Sequence, residues 1–122
     1  MHILVVDDDA LAGELTQAIL EEIGYRSFYV ENAIEALEIL GTNCDFEMVI
    51  SDLNMPFLNG IELFREIRAH GLKIPFILLS GDDPNIAKAE EADLDACLLK
   101  DFLLDESLPA TIKKVLEHYK RL

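Results

Sequence analysis

The chain has 122 residues, with 24 acidic against 10 basic side chains and a formal charge of −14. That length suits one compact core, and a hydrophobic content of 51% excludes a disordered chain. The acidic balance excludes a direct grip on nucleic acid or an anionic membrane, because both need a basic face. In chain order, Ile3-Leu4-Val5-Val6 is β-branched and too short for a helix, so it predicts a buried strand. Leu11, Leu15, Ile19 and Ile23 recur every four residues and predict one helical face ending at Gly24. Tyr25 to Val30 predicts a second strand; Ala33, Ile34, Leu37 and Leu40 mark a second helix stopped by Gly41. Phe46 to Ile50 is a third strand, followed by a helix carrying Ile61, Phe64, Ile67 and Arg68 and ending near Gly71. Ile74 to Leu79 is the fourth strand, residues 84–92 a weak charged helix, and Ala96 to Leu99 the fifth strand. The last helix carries Leu108, Ile112, Val115, Leu116 and Tyr119, with Ser107 as its cap. Five such alternations imply a doubly wound α/β domain, a parallel sheet with helices on both faces.

No apolar run approaches the roughly 18–20 residues of a membrane span. The apolar stretch after Met1 breaks at three aspartates and does not read as a secretory leader. Two cysteines, Cys44 and Cys97, do not make a disulfide scaffold and fit a reducing compartment. A single cytoplasmic domain over 1–122 is therefore expected.

Ligands in such folds bind beyond the carboxyl ends of the strands. There Ile3–Val6 delivers Asp7, Asp8 and Asp9; Met48–Ile50 delivers Ser51 and Asp52; Phe76–Leu79 delivers Ser80; Ala96–Leu99 delivers Lys100. Clustered carboxylates repel one another in a crevice and call for a cation. Oxygen ligands that leave room for waters suit Mg²⁺. With Lys100 and Ser80 supplying a positive charge and a hydroxyl, the set spells phosphoryl transfer to an aspartate. The plainer alternative for Asp9 is a helix cap. For Asp7, Asp8 and Asp52 together it is disfavoured, because stacking them uncompensated destabilises the fold.

Val6-Asp7-Asp8, Ile50-Ser51-Asp52-Leu53-Asn54-Met55-Pro56 with Gly60, Ser80-Gly81 and Lys100 occur in order at specific spacings. In these the chain resembles the response-regulator receiver domains of two-component signalling, from Ile3 to about Tyr119. The resemblance implies a chemotaxis-regulator-like sheet of order 2-1-3-4-5 and Asp52 as phosphoacceptor. It implies Mg²⁺ on Asp8, Asp52 and the main-chain carbonyl of Asn54, with Asp7 acting through a water. It also implies that Ser80 hydrogen-bonds the phosphoryl oxygens, that Lys100 pairs with them, and that Gly81 leaves their path open. The implied partners are a sensor histidine kinase or phosphotransfer protein upstream and a protein target or output domain downstream, with a monomer or phosphorylation-dependent dimer. No output module follows the last helix, which fits a stand-alone receiver or the leading part of a longer chain.

Three departures stand out. Asp101 follows Lys100 where the family usually has a proline after a cis bond; cis before a non-proline costs about 3–4 kcal/mol, so a trans peptide with a re-routed loop is favoured over retained strain. Cys97 occupies the place of an aromatic that swings inward on phosphorylation, and reads as a small buried hydrophobe. Asp93 replaces the glycine that ends the fourth helix, where a left-handed cap is still open to it. His2, His70 and His118 lack metal-ligand spacing and read as surface or cap residues, and Cys44 as a bystander.

Two other functions compete with the switch. One is an Asp-nucleophile phosphatase using Asp7, since Asp7-Asp8-Asp9 fits the Asp-x-Asp opening of haloacid-dehalogenase-type enzymes. The spacing of the later motifs argues against it. The other is a receiver-like scaffold that binds partners without phosphorylation, so the chain is read as a switch and not an enzyme. With only Ile86 and a few alanines as anchors, the helix at 84–92 is expected to be loosely held. Phosphorylation is then expected to act mainly on that helix and the loop after Ser80.

Overall fold

The computed structural model describes residues 1–42 and 45–121, so the expectation for Cys44 lies outside the described residues. Five strands form one parallel sheet: β1 (His2–Val6), β2 (Arg26–Val30), β3 (Met48–Asp52), β4 (Phe76–Ser80) and β5 (Ala96–Leu99). Their order is β2-β1-β3-β4-β5, as the resemblance implied. Five helices alternate with them: α1 (Ala10–Glu22), α2 (Ala33–Thr42), α3 (Gly60–Ala69), α4 (Pro84–Glu90) and α5 (Leu104–Lys120).

The period of two along a strand divides the core between the faces of the sheet. Leu4, Val6, Val49, Phe76 and Leu78 point to one side, where they meet Ala36 of α2, Phe64 of α3 and Ala87 of α4. Ile3, Val5, Met48, Ile50, Ile77 and Leu79 point to the other, against Leu20 of α1 and Leu108, Ile112 and Val115 of α5. Strands β3 and β4 are buried along their whole length, which is why they read as continuous apolar runs. Each such side chain contributes about 1.5–3 kcal/mol when fully buried. The central strands are therefore a rigid base for whatever their carboxyl ends carry.

Several local expectations are corrected. The stripe Leu11-Leu15-Ile19-Ile23 is not the face α1 buries. Leu11, Leu15 and Ile23 are exposed and only Ile19 of the stripe packs, half-buried, against the core, while Gly13, Thr16 and Leu20 are buried. A four-residue step advances about 40° more than a full turn, so the stripe drifts off any one face. Gly13 is needed because a Cβ there would lie 2.4 Å from the Tyr29 ring. Helix α2 runs through Gly41 to Thr42. The third strand starts two residues later than expected, at Met48, and carries Asp52 as its last residue. Helix α5 begins at Leu104 rather than after Ser107 and includes Pro109, and Ser107 caps nothing. Its entry is shaped by Asp101, whose carboxylate accepts the Leu103 N–H and whose carbonyl accepts the Leu104 N–H. Among the described residues no peptide bond is cis, so Lys100–Asp101 is trans. Asp93 is not left-handed; α4 instead closes at Glu91 in an extended conformation, with the Lys88 ammonium bonding the carbonyls of Ala92 and Leu94.

Candidate functional site

Four strand ends build the site. Asp7 directly follows β1; its N–H donates to the Val30 carbonyl and its own carbonyl accepts the Tyr29 hydroxyl at 2.5 Å. Both its side-chain oxygens are bonded: Oδ1 accepts the Asp9 N–H at 2.9 Å and Oδ2 the Lys100 ammonium at 2.8 Å. Asp8 is exposed beside it. Asp9 caps α1 by accepting the Leu11 N–H, so the plain reading holds for this residue.

Asp52 ends β3 and is 7% exposed. Its Oδ1 lies 3.4 Å from the Lys100 Nζ, so one ammonium bridges two carboxylates from different strands. The loop after Asp52 is drawn tight. Leu53 N–H bonds the Leu79 carbonyl, and Gly60 N–H returns to the Leu53 carbonyl at 2.8 Å. Any side chain at Gly60 would meet the Asp52 carbonyl and Leu78 Cδ1, each 2.4 Å from its Cβ. Glycine here permits a close backbone approach that holds the aspartate in place.

Carboxylate oxygens of Asp7, Asp8 and Asp52 lie within 4.8 Å of one another, the group of this kind found among the described residues. One ammonium does not neutralise three acids. Burial first, and then the Asp7 charge, push the Asp52 carboxyl up from 3.8 to about 6 against the opposing pull of Lys100. Burial works against the Lys100 ammonium, but its hydrogen bond to Asp7 and the Asp52 charge outweigh this and raise its pKa. A divalent cation among these oxygens would relieve the repulsion, so the donor set fits a hard, oxygen-preferring ion.

The other expected residues are near but not all engaged. Ser80 ends β4, buried, and its Oγ accepts the Asp82 N–H at 3.1 Å. The Ser80 carbonyl accepts the Lys100 N–H, which ties the two strand ends together. Gly81 stands in open space, and a Cβ there would touch nothing within 4 Å. Asn54 is exposed in the loop two residues past Asp52. Cys97 is half-buried against the core on the α4 side, its thiol pushed up by burial. Ser51 faces away from the site chemistry, its hydroxyl bonding the Asp52 carbonyl. His70 closes α3, as the cap reading expected, and His2 stacks on Phe46 with ring centroids 4.5 Å apart. Sequence reasoning missed Tyr29, which braces the Asp7 loop from 22 residues away. No local motif announces it; only the register of β2 on β1 brings it there.

The model of the response regulator receiver domain matches residues 3–113. Chemotaxis protein CheY1 of Helicobacter pylori is 31% identical over 122 residues, covering 96% of this chain and 94% of that protein. A transcriptional regulatory protein CpxR homolog of Haemophilus influenzae is 38% identical over 116 residues, covering 93% of this chain; the chain spans about half (49%) of that relative's length. Among solved structures, response regulator TrrA of Thermotoga maritima, in complex with Mg²⁺-BeF, superposes with a TM-score of 0.84 at 32% identity. That match covers 93% of this chain and 97% of TrrA. Sheet order, acid cluster and relatives agree: the chain belongs to the response regulator receiver domains of two-component systems, whose members are phosphoacceptor switches.

Proposed function

We propose that this domain accepts a phosphoryl group on Asp52 from the phosphohistidine of a sensor kinase or phosphotransfer protein, in the cytoplasm, and passes the signal to a protein partner or output domain. One observation carries the reading: Asp52, at the end of a fully buried strand, shares its pocket with Asp7, Asp8 and the bridging Lys100. In the transfer an Asp52 oxygen attacks phosphorus and the phosphorus–nitrogen bond breaks. The imidazole leaves with the electron pair, and an acyl phosphate remains.

Asp8, Asp52 and the Asn54 carbonyl would hold Mg²⁺, with Asp7 behind a water. The ion would supply charge neutralisation at the phosphoryl oxygens. Lys100 is then free to turn from the carboxylates toward the phosphoryl group. Gly81 leaves the approach open, and Ser80 has a hydroxyl proton to donate. Its oxygen can keep the Asp82 N–H while its proton is donated, but a movement of the side chain toward the phosphate takes that acceptor away and loosens the start of the segment leading into α4. Cys97 is too small to follow Ser80 as a bulky ring would, so α4 rather than α5 receives the change.

The test is phosphorylation by a small donor. Acetyl phosphate with Mg²⁺ is expected to add one hydroxylamine-labile phosphoryl group to the wild type and none to Asp52→Asn. Label that persists in Asp52→Asn and disappears in Asp7→Asn would assign the nucleophile to Asp7 and overturn the reading.

A further inference from the structure

The turn that carries Asp8 is held by the strand beside it. Asp7 is anchored to β2 through both its backbone groups. Its N–H donates to the Val30 carbonyl at 3.2 Å, and its carbonyl accepts the Tyr29 hydroxyl at 2.5 Å. That carbonyl belongs to the peptide group joining Asp7 to Asp8. A planar peptide turns as one unit, so the Tyr29 hydroxyl limits ψ of Asp7 and φ of Asp8 together. Both side-chain oxygens of Asp7 are bonded, but the exposed Asp8 carboxylate accepts no hydrogen bond among the described residues. Its direction therefore comes from its backbone. Of the three clustered acids, Asp8 is the one whose aim rests on this peptide.

Helix α1 makes room for the contact. Tyr29 packs on the α1 side of the sheet, and a Cβ on Gly13 would come 2.4 Å from its ring. Gly13 lies inside α1, where glycine weakens a helix. Helix stability is thus given up to seat this ring. Burial, followed by the charges of Asp7 and Glu31, raises the Tyr29 pKa, so the phenol keeps its proton and remains a donor.

What such aiming achieves depends on the ion. Mg²⁺ demands near-octahedral geometry with oxygens at about 2.0–2.1 Å, whereas Ca²⁺ accepts more oxygens at longer and looser distances. A carboxylate whose direction wanders is therefore lost to Mg²⁺ before it is lost to Ca²⁺. Groups that orient a metal ligand from behind typically govern affinity by about 10–100-fold.

Resting on the reading that Asp8, Asp52 and the Asn54 carbonyl hold Mg²⁺, we propose that Tyr29 is a positioning residue for the metal. Its hydroxyl aims Asp8 through the Asp7–Asp8 peptide and makes the site selective for Mg²⁺ over the larger Ca²⁺.

Thermal-shift titrations of the full chain with Mg²⁺ and with Ca²⁺ test this without any phosphodonor. Tyr29→Phe keeps the ring and removes the hydroxyl. It is expected to weaken Mg²⁺ binding about tenfold and Ca²⁺ binding less than about threefold. Ser27→Ala removes a different hydrogen bond between β2 and α1, the one from Gln17 at 3.1 Å, and should leave both affinities at the wild-type value. Wild-type Mg²⁺ affinity in Tyr29→Phe, even with a lower Tm in the absence of metal, would overturn the proposal. Equal losses for the two ions would do the same, as would an equal Mg²⁺ loss in Ser27→Ala. A wild type whose Tm Mg²⁺ does not raise, or a shift that survives Asp8→Ala, would instead remove the metal site itself and the proposal with it.

Discussion

Helices α3 and α4 sit on the same face of the sheet, one after the strand that ends in Asp52 and one after the strand that ends in Ser80, and they are held in opposite ways. Helix α3 has ten residues and buries Gly60, Ile61, Leu63, Phe64 and Ile67. A capping box between Asn59 and Glu62 satisfies its first turn. Helix α4 has seven residues and buries only Ala87, while Ile86, its largest apolar side chain, is 66% exposed. Its far end depends on the Lys88 ammonium and the exposed Arg65–Glu91 pair, contacts worth little in water. The contrast assigns the two sides different tasks. The α3 side fixes Asp52, and the α4 side is cheap to rearrange.

The largest test of this contrast is truncation. Phe64 lies edge-on to Phe76 at 5.3 Å between centroids, with the Arg68 guanidinium 4.6 Å over its ring. Phe64→Ala should cost about 3–5 kcal/mol in urea unfolding, and Ile86→Ala no more than about 0.5 kcal/mol. Comparable losses at both positions would erase the distinction.

Next in size is the charge stored at Asp52. Its carboxyl sits at about 6 in the folded protein against 3.8 as the ordinary value, so between these the native state binds the extra proton. Stability from this group is full below about pH 4, falls as pH rises toward 6, and stays low above. The two units correspond to about 3 kcal/mol. Asp52→Asn should therefore flatten the decline of stability between pH 4 and 6. Mg²⁺ should offset the cost at neutral pH, by about 2.7 kcal/mol at 100 times its dissociation constant. A Tm unmoved by millimolar Mg²⁺, or a shift that survives Asp8→Ala, contradicts the site.

A smaller effect separates two glycines. Gly60→Ala forces a Cβ against the Asp52 carbonyl and should destabilise by about 1–3 kcal/mol. Gly81→Ala enters open space and should change stability by less than about 0.5 kcal/mol. Calorimetry on the pair measures both.

What was legible in the sequence follows the same division. Strand ends announce themselves, because an apolar run that stops at Asp7, Ser80 or Lys100 must leave that residue at the edge of the sheet. Asp52 was legible for the same reason, although its strand holds it rather than ending before it. Helix faces were less legible. The regular Leu11-Leu15 stripe is exposed because α1 turns Gly13 toward Tyr29, a fact set by contact across the sheet. The start of α5 was missed because Asp101 shapes it three residues ahead of any apolar period. Nothing in the composition foretold that Ser80 is held by the Asp82 N–H, or that Phe57 takes a positive φ of 71° with the Leu58 N–H closing on the Pro56 carbonyl. Both depend on backbone geometry that residue type alone disfavours or leaves open.

Hydrogen exchange on the wild type, with Mg²⁺ alone and with Mg²⁺ and beryllofluoride, tests the central claim most directly. The account predicts altered protection through residues 81–92, as Ser80 leaves the Asp82 N–H, with α3 over Gly60–Ala69 unchanged. Protection changes gathered at Cys97 and residues 108–119, with 81–92 unaltered, would contradict it.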